Sequence, residues 1–344
     1  MKNIYDLYLK VRERFSLDDI SEKLNINKNT LVRWNNLKSV PKNYHIDLLR
    51  LIEDEINYDE FTAKEKDQFF TEKNTVIECL SILNKKLQEL GVNIDEYTFI
   101  EPSAGDGSFF NELPENRRIG LDIEPKSNGI IEFDFLKWKP NDGKYITIGN
   151  PPFGLRGNLA LRFINHSSQF SDFTAFILPQ IFESTGKGNC KDRVTNLNLI
   201  HSQKINSDFY YPNGDNVKVN VIFQIWSKNY KYEEKKYTTS EYIKIYSVSD
   251  GGTPDTTRNR KMWYNCDLYL PTTCFQDKMS IYDNFDRLPQ KRGYGLVIRK
   301  NREEIISLLK DTNWREVSFT STNGALNLRF DIIEKVLIKN GFYD

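Results

Sequence analysis

Tyr145-Ile146-Thr147-Ile148-Gly149-Asn150-Pro151-Pro152-Phe153 is the stretch on which the reading of this chain turns. Its first five residues are mostly β-branched or aromatic and read as a buried strand, which the glycine and the two prolines then stop abruptly. In open α/β sheets, groups at the carboxyl ends of strands are the ones that meet a ligand. Asn150 brings a side-chain carbonyl to that position, and Pro151 can add its backbone carbonyl. The prolines restrict the backbone, so both acceptors are preset. Two acceptors on the two N–H bonds of a planar, ring-conjugated amine would draw its nitrogen toward tetrahedral geometry and free its lone pair. That is catalysis by positioning and electrostatics. Phe153 adds a flat apolar face for such a ring.

Upstream, Thr98-Phe99-Ile100-Glu101 forms a second short strand, followed by Pro102-Ser103-Ala104-Gly105-Asp106-Gly107 and a helical pattern over 108–113. Glycines in such a turn let the backbone approach a ligand where a Cβ would collide. Phe110 stands where a dinucleotide fingerprint needs its third glycine, so a pyrophosphate cradle is disfavoured. Carboxylates suit a positively charged cofactor better, and the ammonium and sulfonium of S-adenosylmethionine (AdoMet) fit that description. Asp122 ends the strand pattern Ile119-Gly120-Leu121-Asp122, with Ile123 beside it, and can accept from ribose hydroxyls. Phe133-Asp134-Phe135 then offers an acceptor flanked by rings, suited to adenine and its amino group.

The flanks read differently. Apolar residues recur at helical spacing through the first sixty positions. Ser16 with Asp19 three residues later resembles a capping box. Ile20 and Leu24, then Ile26, Leu31 and Trp34, supply the core positions of a helix-turn-helix, with Asn25 in the turn. Lys28, Asn29, Thr30 and Arg33 on its second helix can contact phosphates or bases. The competing reading is a helical hairpin that caps the central domain. A helix over 74–90 ends at Gly91, and strands are expected over 98–101, 118–122, 145–149, 174–178 and 219–226. Beyond residue 233 the sequence is irregular and polar, and Arg258, Arg260 and Arg292, with Arg193 earlier, lie in basic stretches that suit groove contact or plain solvation.

With 344 residues, 39% of them hydrophobic, the chain exceeds one ordinary core. Its 48 basic and 48 acidic side chains cancel, which permits a nucleic-acid partner without demanding one. Four scattered cysteines form no CxxC and the three histidines are isolated, so neither a metal site nor a disulfide framework is expected. No apolar run is long enough to span a membrane and no signal peptide is visible. A soluble, cytoplasmic protein is expected.

The run from Phe133-Asp134-Phe135-Leu136-Lys137-Trp138-Lys139-Pro140 to Gly149-Asn150-Pro151-Pro152-Phe153-Gly154 resembles the DNA adenine-N6 amino methyltransferases, in the Taq-type subgroup whose cofactor motifs precede the catalytic one. The resemblance covers roughly residues 70–228. It implies a doubly wound, Rossmann-like AdoMet-dependent methyltransferase domain over 61–232. An N-terminal helix-turn-helix domain over 1–60 and a target-recognition domain over 233–344 would flank it. It implies that Phe70, Thr71, Glu101, Pro102, Ser103, Ala104, Gly105, Gly107, Asp122, Ile123, Asp134, Phe135 and Asn150 serve the cofactor. Asn150, Pro151, Pro152 and Phe153 would form the catalytic segment. Tyr211, in Tyr211-Pro212, is similar to the family's second aromatic beside the target base, with Phe223 the competing choice. The implied substrate is an adenine flipped out of double-stranded DNA, and a cognate restriction endonuclease is an implied partner. The same chemistry on RNA adenine or protein glutamine is the nearest alternative, and a non-catalytic DNA-binding regulator with an inert fold is the other.

Overall fold

The helical spacing of the first fifty residues produces four helices, α1 (Ile4–Arg14), α2 (Leu17–Lys23), α3 (Lys28–Leu37) and α4 (His45–Ile52), in the computed structural model. That structure describes every residue except 1–2, 25, 53–55, 63–64, 67, 184–188, 206–207, 218, 232–236, 250–264, 275–278, 284–291 and 321–325. Ser16 and Asp19 form the expected reciprocal cap on α2, at 3.1 Å and 3.0 Å. Asn27 caps α3 by accepting from the Asn29 amide at 2.8 Å. Tyr8, Ile20, Leu31, Trp34 and Leu48 make a core of their own, with Trp34 edge-on to both Tyr8 and Tyr44.

β1 (Phe70–Thr71) leads into α5 (Lys73–Glu89). Gly91, at φ +68°, closes α5: the Gly91 amide donates to the Gln88 carbonyl and the Val92 amide to Leu87, a Schellman arrangement. The central sheet follows, built from β2 (Thr98–Glu101), β3 (Arg118–Asp122), β4 (Ile130–Glu132), β5 (Tyr145–Gly149), β6 (Phe173–Pro179) and β7 (Asn198–Lys204), with α6 (Asn158–Ser167) between β5 and β6. β8 (Phe209–Tyr210) and β9 (Asn216–Val217) form a small ribbon with β1, and β10 (Val221–Ser227) returns to the sheet. Strand order is β4-β3-β2-β5-β6-β10-β7. β4 through β6 run parallel, and β10 enters antiparallel between β6 and β7. A mostly parallel sheet with flanking helices and one reversed strand is consistent with the Rossmann-like methyltransferase fold.

The helix expected over 108–113 is a correction. Only a 3-10 turn forms there, Phe110–Glu112. Asp106 accepts from both the amide and the hydroxyl of Ser108, at 3.1 Å and 2.6 Å, and Pro114 follows Leu113. Too few residues remain to propagate a helix once its first turn is committed to a loop.

The helices α1–α4 and the central sheet belong to one unit, Met1–Ser184 with Gly188–Tyr232. Within it the Asn158 amide of α6 donates to the Leu24 carbonyl, and Arg162 of α6 pairs with Asp47 of α4 at 2.9 Å. A second unit, Thr185–Lys187 with Glu233–Asp344, has its own core around Leu268, Leu296, Ile305, Leu309, Ile333 and Leu337. Its strands are β11 (Ile243–Ser249), β12 (Leu268–Pro271), β13 (Thr273–Cys274), β14 (Arg292–Ile298), β15 (Phe319–Thr320) and β16 (Leu326–Asn327), and its helices α7 (Arg302–Asp311), α8 (Trp314–Val317) and α9 (Phe330–Lys339). They make two three-stranded antiparallel sheets, β11-β14-β12 and β13-β16-β15. The four cysteines are buried and form no disulfide.

A Cβ on Gly91 would meet nothing within 4 Å, so a side chain there is opposed by backbone conformation alone. Gly91→Ala should therefore cost about 1 kcal/mol in a urea titration, with the slope unchanged. A neutral result would mean that α5 does not need its left-handed end.

Candidate active site

The carboxyl ends of β2, β3 and β5 open onto a cleft of about 620 Å³. Gly105 (φ +50°) forces the loop after β2 through a turn that L residues avoid. A Cβ there would stand 2.7 Å from the Phe70 ring, so the glycine also lets β1 close over the loop. Asp122 ties this loop to the next: one carboxylate oxygen accepts from the Gly105 amide and the other from the Glu124 amide, both at 2.7 Å. Burial holds the Asp122 carboxyl above its ordinary value even though these two N–H bonds act to lower it. Each oxygen keeps lone-pair capacity toward the cleft. Neighbouring Glu124 is engaged by Lys66 at 2.5 Å.

Glu101 is only partly satisfied. It is 3% exposed, and its Oε2 has no hydrogen-bond partner among the described residues. Desolvation raises its carboxyl well above the usual glutamate range. A buried carboxylate left without a cation beside a cleft is what a positively charged ligand would satisfy. AdoMet fits the residues present on that ground. Asp106, on the same loop, accepts from the Tyr210 phenol, whose own pKa is pushed up to about 12, first by burial and then by this bond.

At the far side, Asp134 Oδ1 accepts from the Leu136 amide at 3.0 Å, and Oδ2 stands 3.9 Å from Arg50 Nε. Ile123 and Phe135 line the cleft. The expectation of a ring on both sides of Asp134 is corrected: Phe133 is 45% exposed, whereas Phe135 is buried against Phe163 and His166. Phe133 donates its amide to the Asp122 carbonyl and extends the chain outward from β4.

Asn150 follows β5 at the cleft wall. Its Nδ2 donates to Thr71 Oγ1 at 3.2 Å and its backbone carbonyl accepts from Ser103 Oγ at 3.2 Å. Its buried Oδ1 has no partner among the described residues. Thr71 thus sits on the Asn150 amide, and its neighbour Phe70 lines the cleft. Pro152 also lines it, while Pro151 is buried. Phe153 is 8% exposed and packs edge-on to Phe69, which packs in turn on Phe209. Tyr211 opens the turn between β8 and β9, where its amide donates to the Asp215 carbonyl at 2.9 Å. Phe223 is fully buried mid-strand in β10, opposite Ile177 and Gln203, so it is core.

Of the residues expected at the cofactor, Pro102, Ser103, Gly105, Asp122, Ile123 and Asp134 line the cleft with Phe70, Phe135 and Asn150. Glu101, Ala104 and Gly107 are buried behind the loop surface. The sequence reading missed Arg50, Lys66, Gln68, Phe69 and Phe163, which also line it, as does Glu124, the alternative to Asp122 for the ribose. Arg50 carries the one usable signal, a cation inside the apolar run Leu48-Leu49-Arg50-Leu51-Ile52.

The basic candidates are dispersed. Lys28, Asn29 and Arg33 are exposed on α3, with Lys28 paired to Asp18 at 2.7 Å, and Thr30 is half-buried. Arg193 ends a 3-10 turn, its carbonyl bonded by Asn165, and Arg292 is exposed at the start of β14. Arg258 and Arg260 lie outside the described residues. Among the described residues no cluster of His, Cys, Asp and Glu could hold a metal ion, and no helix is long and apolar enough to cross a membrane.

The sheet order is consistent with a Rossmann-like methyltransferase fold, and stretches of the chain are similar to proteins named as methyltransferases. The chain is 31% identical over 101 residues to the Type II methyltransferase M.CvrRI of Paramecium bursaria Chlorella virus XZ-6E, covering 26% of this chain and 24% of that protein. It is 31% identical over 70 residues to a Type II methyltransferase of Thermus thermophilus, covering 17% and 16%. The chain therefore spans a quarter or less of the length of these curated relatives. No protein-family profile matches it. Among solved structures, PH1948 of Pyrococcus horikoshii aligns at 17% identity and TM-score 0.36, over 47% of this chain and 88% of that one. Thermoplasma acidophilum 1320 aligns at 15% and 0.33, over 46% and 88%. Likeness at those scores adds nothing to the assignment.

Because the folded pKa of Glu101 lies above its ordinary value, the stability of the ligand-free protein at this group is fully present below that ordinary value. It is lost as pH rises through the folded pKa. Glu101→Gln should therefore raise the melting temperature of the ligand-free protein at neutral pH, with the gain vanishing near about pH 4. The same variant should bind AdoMet about tenfold or more weakly in calorimetry, having lost a charge-assisted partner. A variant that is less stable at neutral pH and binds normally would make Glu101 a purely structural acceptor.

Proposed function

We propose that the chain is a site-specific DNA adenine-N6 methyltransferase that uses AdoMet and acts on an adenine turned out of the duplex. The observation that carries this reading is the Asn150 amide: Thr71 fixes its Nδ2 at 3.2 Å, and its buried Oδ1 is left as an unused acceptor. An acceptor with no partner in the protein is suited to a substrate N–H, and with the Pro151 carbonyl it meets the two N–H bonds of an exocyclic amine. AdoMet, when bound, supplies the electrophilic methyl group. Glu101 and Asp122 are placed to hold its cationic and ribose parts, and Asp134, Ile123 and Phe135 its adenine. Phe153 and Tyr211 are the aromatic candidates to stack on the flipped base. The match to relatives named as Type II methyltransferases supports a DNA substrate, as does the α2–α3 arrangement, which has helix-turn-helix spacing. In this reading residues 1–60 bind DNA, 61–232 catalyse and 233–344 recognise the target.

Asn150→Ala should leave AdoMet affinity within about twofold of the parent protein and reduce methylation by about two to three powers of ten, the usual cost of a preorganised acceptor. Methylation-sensitive sequencing of DNA exposed to each protein reads the loss. Full turnover in the variant would remove Asn150 from catalysis.

Reversing two exposed charges on α3, Lys28→Glu with Arg33→Glu, should weaken DNA binding and flatten its dependence on salt by about two phosphate contacts. AdoMet affinity should not change. Identical salt slopes for the two proteins would take α3 off the DNA.

A further inference from the structure

We propose that Arg50, from the N-terminal helical region, is a positioning residue that holds the Asp134 carboxylate for the amino group of the cofactor's adenine. This inference rests on the reading of the cleft as an AdoMet site and extends it to a residue outside the catalytic sheet.

Arg50 lies on α4, with its side chain 7% exposed, and it lines the cleft. Four charges alternate from α6 to α4 and on to the segment after β4: Arg162 to Asp47 at 2.9 Å, Asp47 to Arg50 at 3.7 Å, and Arg50 to Asp134 at 3.9 Å. The first link is a hydrogen-bonded pair. The other two are close enough for attraction but too long for a hydrogen bond. Arg50 Nε and Nη1 accordingly make no hydrogen bond among the described residues. Burial alone would push the guanidinium pKa down, yet it is raised, first by Tyr58, which also hydrogen-bonds the side chain, and then by Asp134 and Asp47.

The division of labour on Asp134 is what gives Arg50 a role toward a ligand. Oδ1 is committed to the Leu136 amide at 3.0 Å, which fixes the carboxylate plane. Oδ2 faces the Arg50 guanidinium at 3.9 Å, beyond hydrogen-bond reach. A guanidinium at that distance attracts the oxygen without consuming its lone pairs. A donor N–H arriving in the cleft would then find a charged acceptor already oriented. An arginine that served only to join α4 to the sheet would close directly on a carboxylate, as Arg162 does on Asp47. Arg50 is instead buried at the cleft wall, bonded to Tyr58 and in no direct hydrogen bond with either carboxylate.

The test compares two probes by calorimetry on the full chain: S-adenosylhomocysteine and its purine-riboside counterpart, which lacks the 6-amino group. The parent protein should prefer the first. Arg50→Met should bind S-adenosylhomocysteine about tenfold more weakly and the counterpart almost as well as the parent protein does, erasing the preference. Asp134→Asn should erase it too, and the double variant should lose no more than either single one. Arg162→Met, which breaks the same charge chain on the far side, should keep the preference. Equal losses for both probes in Arg50→Met, or additive losses with Asp134→Asn, would reduce Arg50 to a strut between helix and sheet. Should Arg50→Met not fold, the parent protein decides alone: its Arg50 Nε–H resonance should shift with S-adenosylhomocysteine and stay put with the counterpart. An unmoved or equally moved resonance would overturn the proposal. If neither probe binds the parent protein, the AdoMet reading of the cleft has failed, an outcome distinct from binding without an Arg50-dependent preference.

Discussion

Both oxygens of the Asp122 carboxylate are held by backbone amides of the two loops that make the cleft, Gly105 after β2 and Glu124 after β3. Each parallel strand leaves its carboxyl end without a neighbouring turn to continue into, so adjacent loops need a shared anchor. Here one side chain provides it, and loop geometry follows. The Gly105 turn brings the backbone under Phe70, and Phe70 belongs to β1, whose next residue, Thr71, orients Asn150. A carboxylate at the end of one strand thus sets, through a glycine-permitted turn and a two-residue strand, the amide at the end of another. Asp122 cannot be a ligand contact alone. Its anchoring of apo geometry and its remaining acceptor capacity are two uses of the same two oxygens.

The cleft holds its polar groups at a cost in folding free energy. Glu101 and Asn150 each keep a buried oxygen without a partner among the described residues, and an unsatisfied group of that kind opposes folding unless something outside the chain completes it. The fold satisfies each only in part, Glu101 by a bond from the Phe110 amide and Asn150 through Thr71. Groups that weaken the empty protein and are placed to strengthen a bound one are the usual mark of a functional site.

Legibility from sequence followed burial. β2, β3 and β5 stand at the expected positions because short apolar runs between turn residues have few other uses, and Gly91 and Ser16 mark helix ends through local chemistry alone. β4 was not legible: three residues long, it exposes Ile131 and Glu132 and gives no period to detect. β7, Asn198-Leu199-Ile200-His201-Ser202-Gln203-Lys204, is an edge strand whose polar outer half reads as loop. The 108–113 segment deceived in the opposite direction, since Phe109, Phe110 and Leu113 have helical spacing but are buried from a 3-10 turn. Arg50, Lys66 and Glu124 became visible only when distant segments met in space.

Charge completes the argument for how a ligand would lie. The cleft wall carries the acids Asp122, Glu124 and Asp134, with Glu101 beneath, against the cations Arg50 and Lys66. Lys66 answers Glu124 and Arg50 stands by Asp134, both on the β3–β4 side. At the end of β2 the Glu101 Oε2 has no such partner among the described residues, and Asp122 is hydrogen-bonded by two amides, with Lys126 a weaker influence. The uncompensated negative charge is therefore gathered where the sheet is central and next to β5, and the compensated charge lies outward. A ligand with a cationic head and a neutral, hydrogen-bonding base has one favourable direction in such a field, its cation at Glu101 and its base at Asp134. That direction also sets the cationic centre on the Asn150 side of the cleft, where an amine held by the Oδ1 acceptor would need to find it.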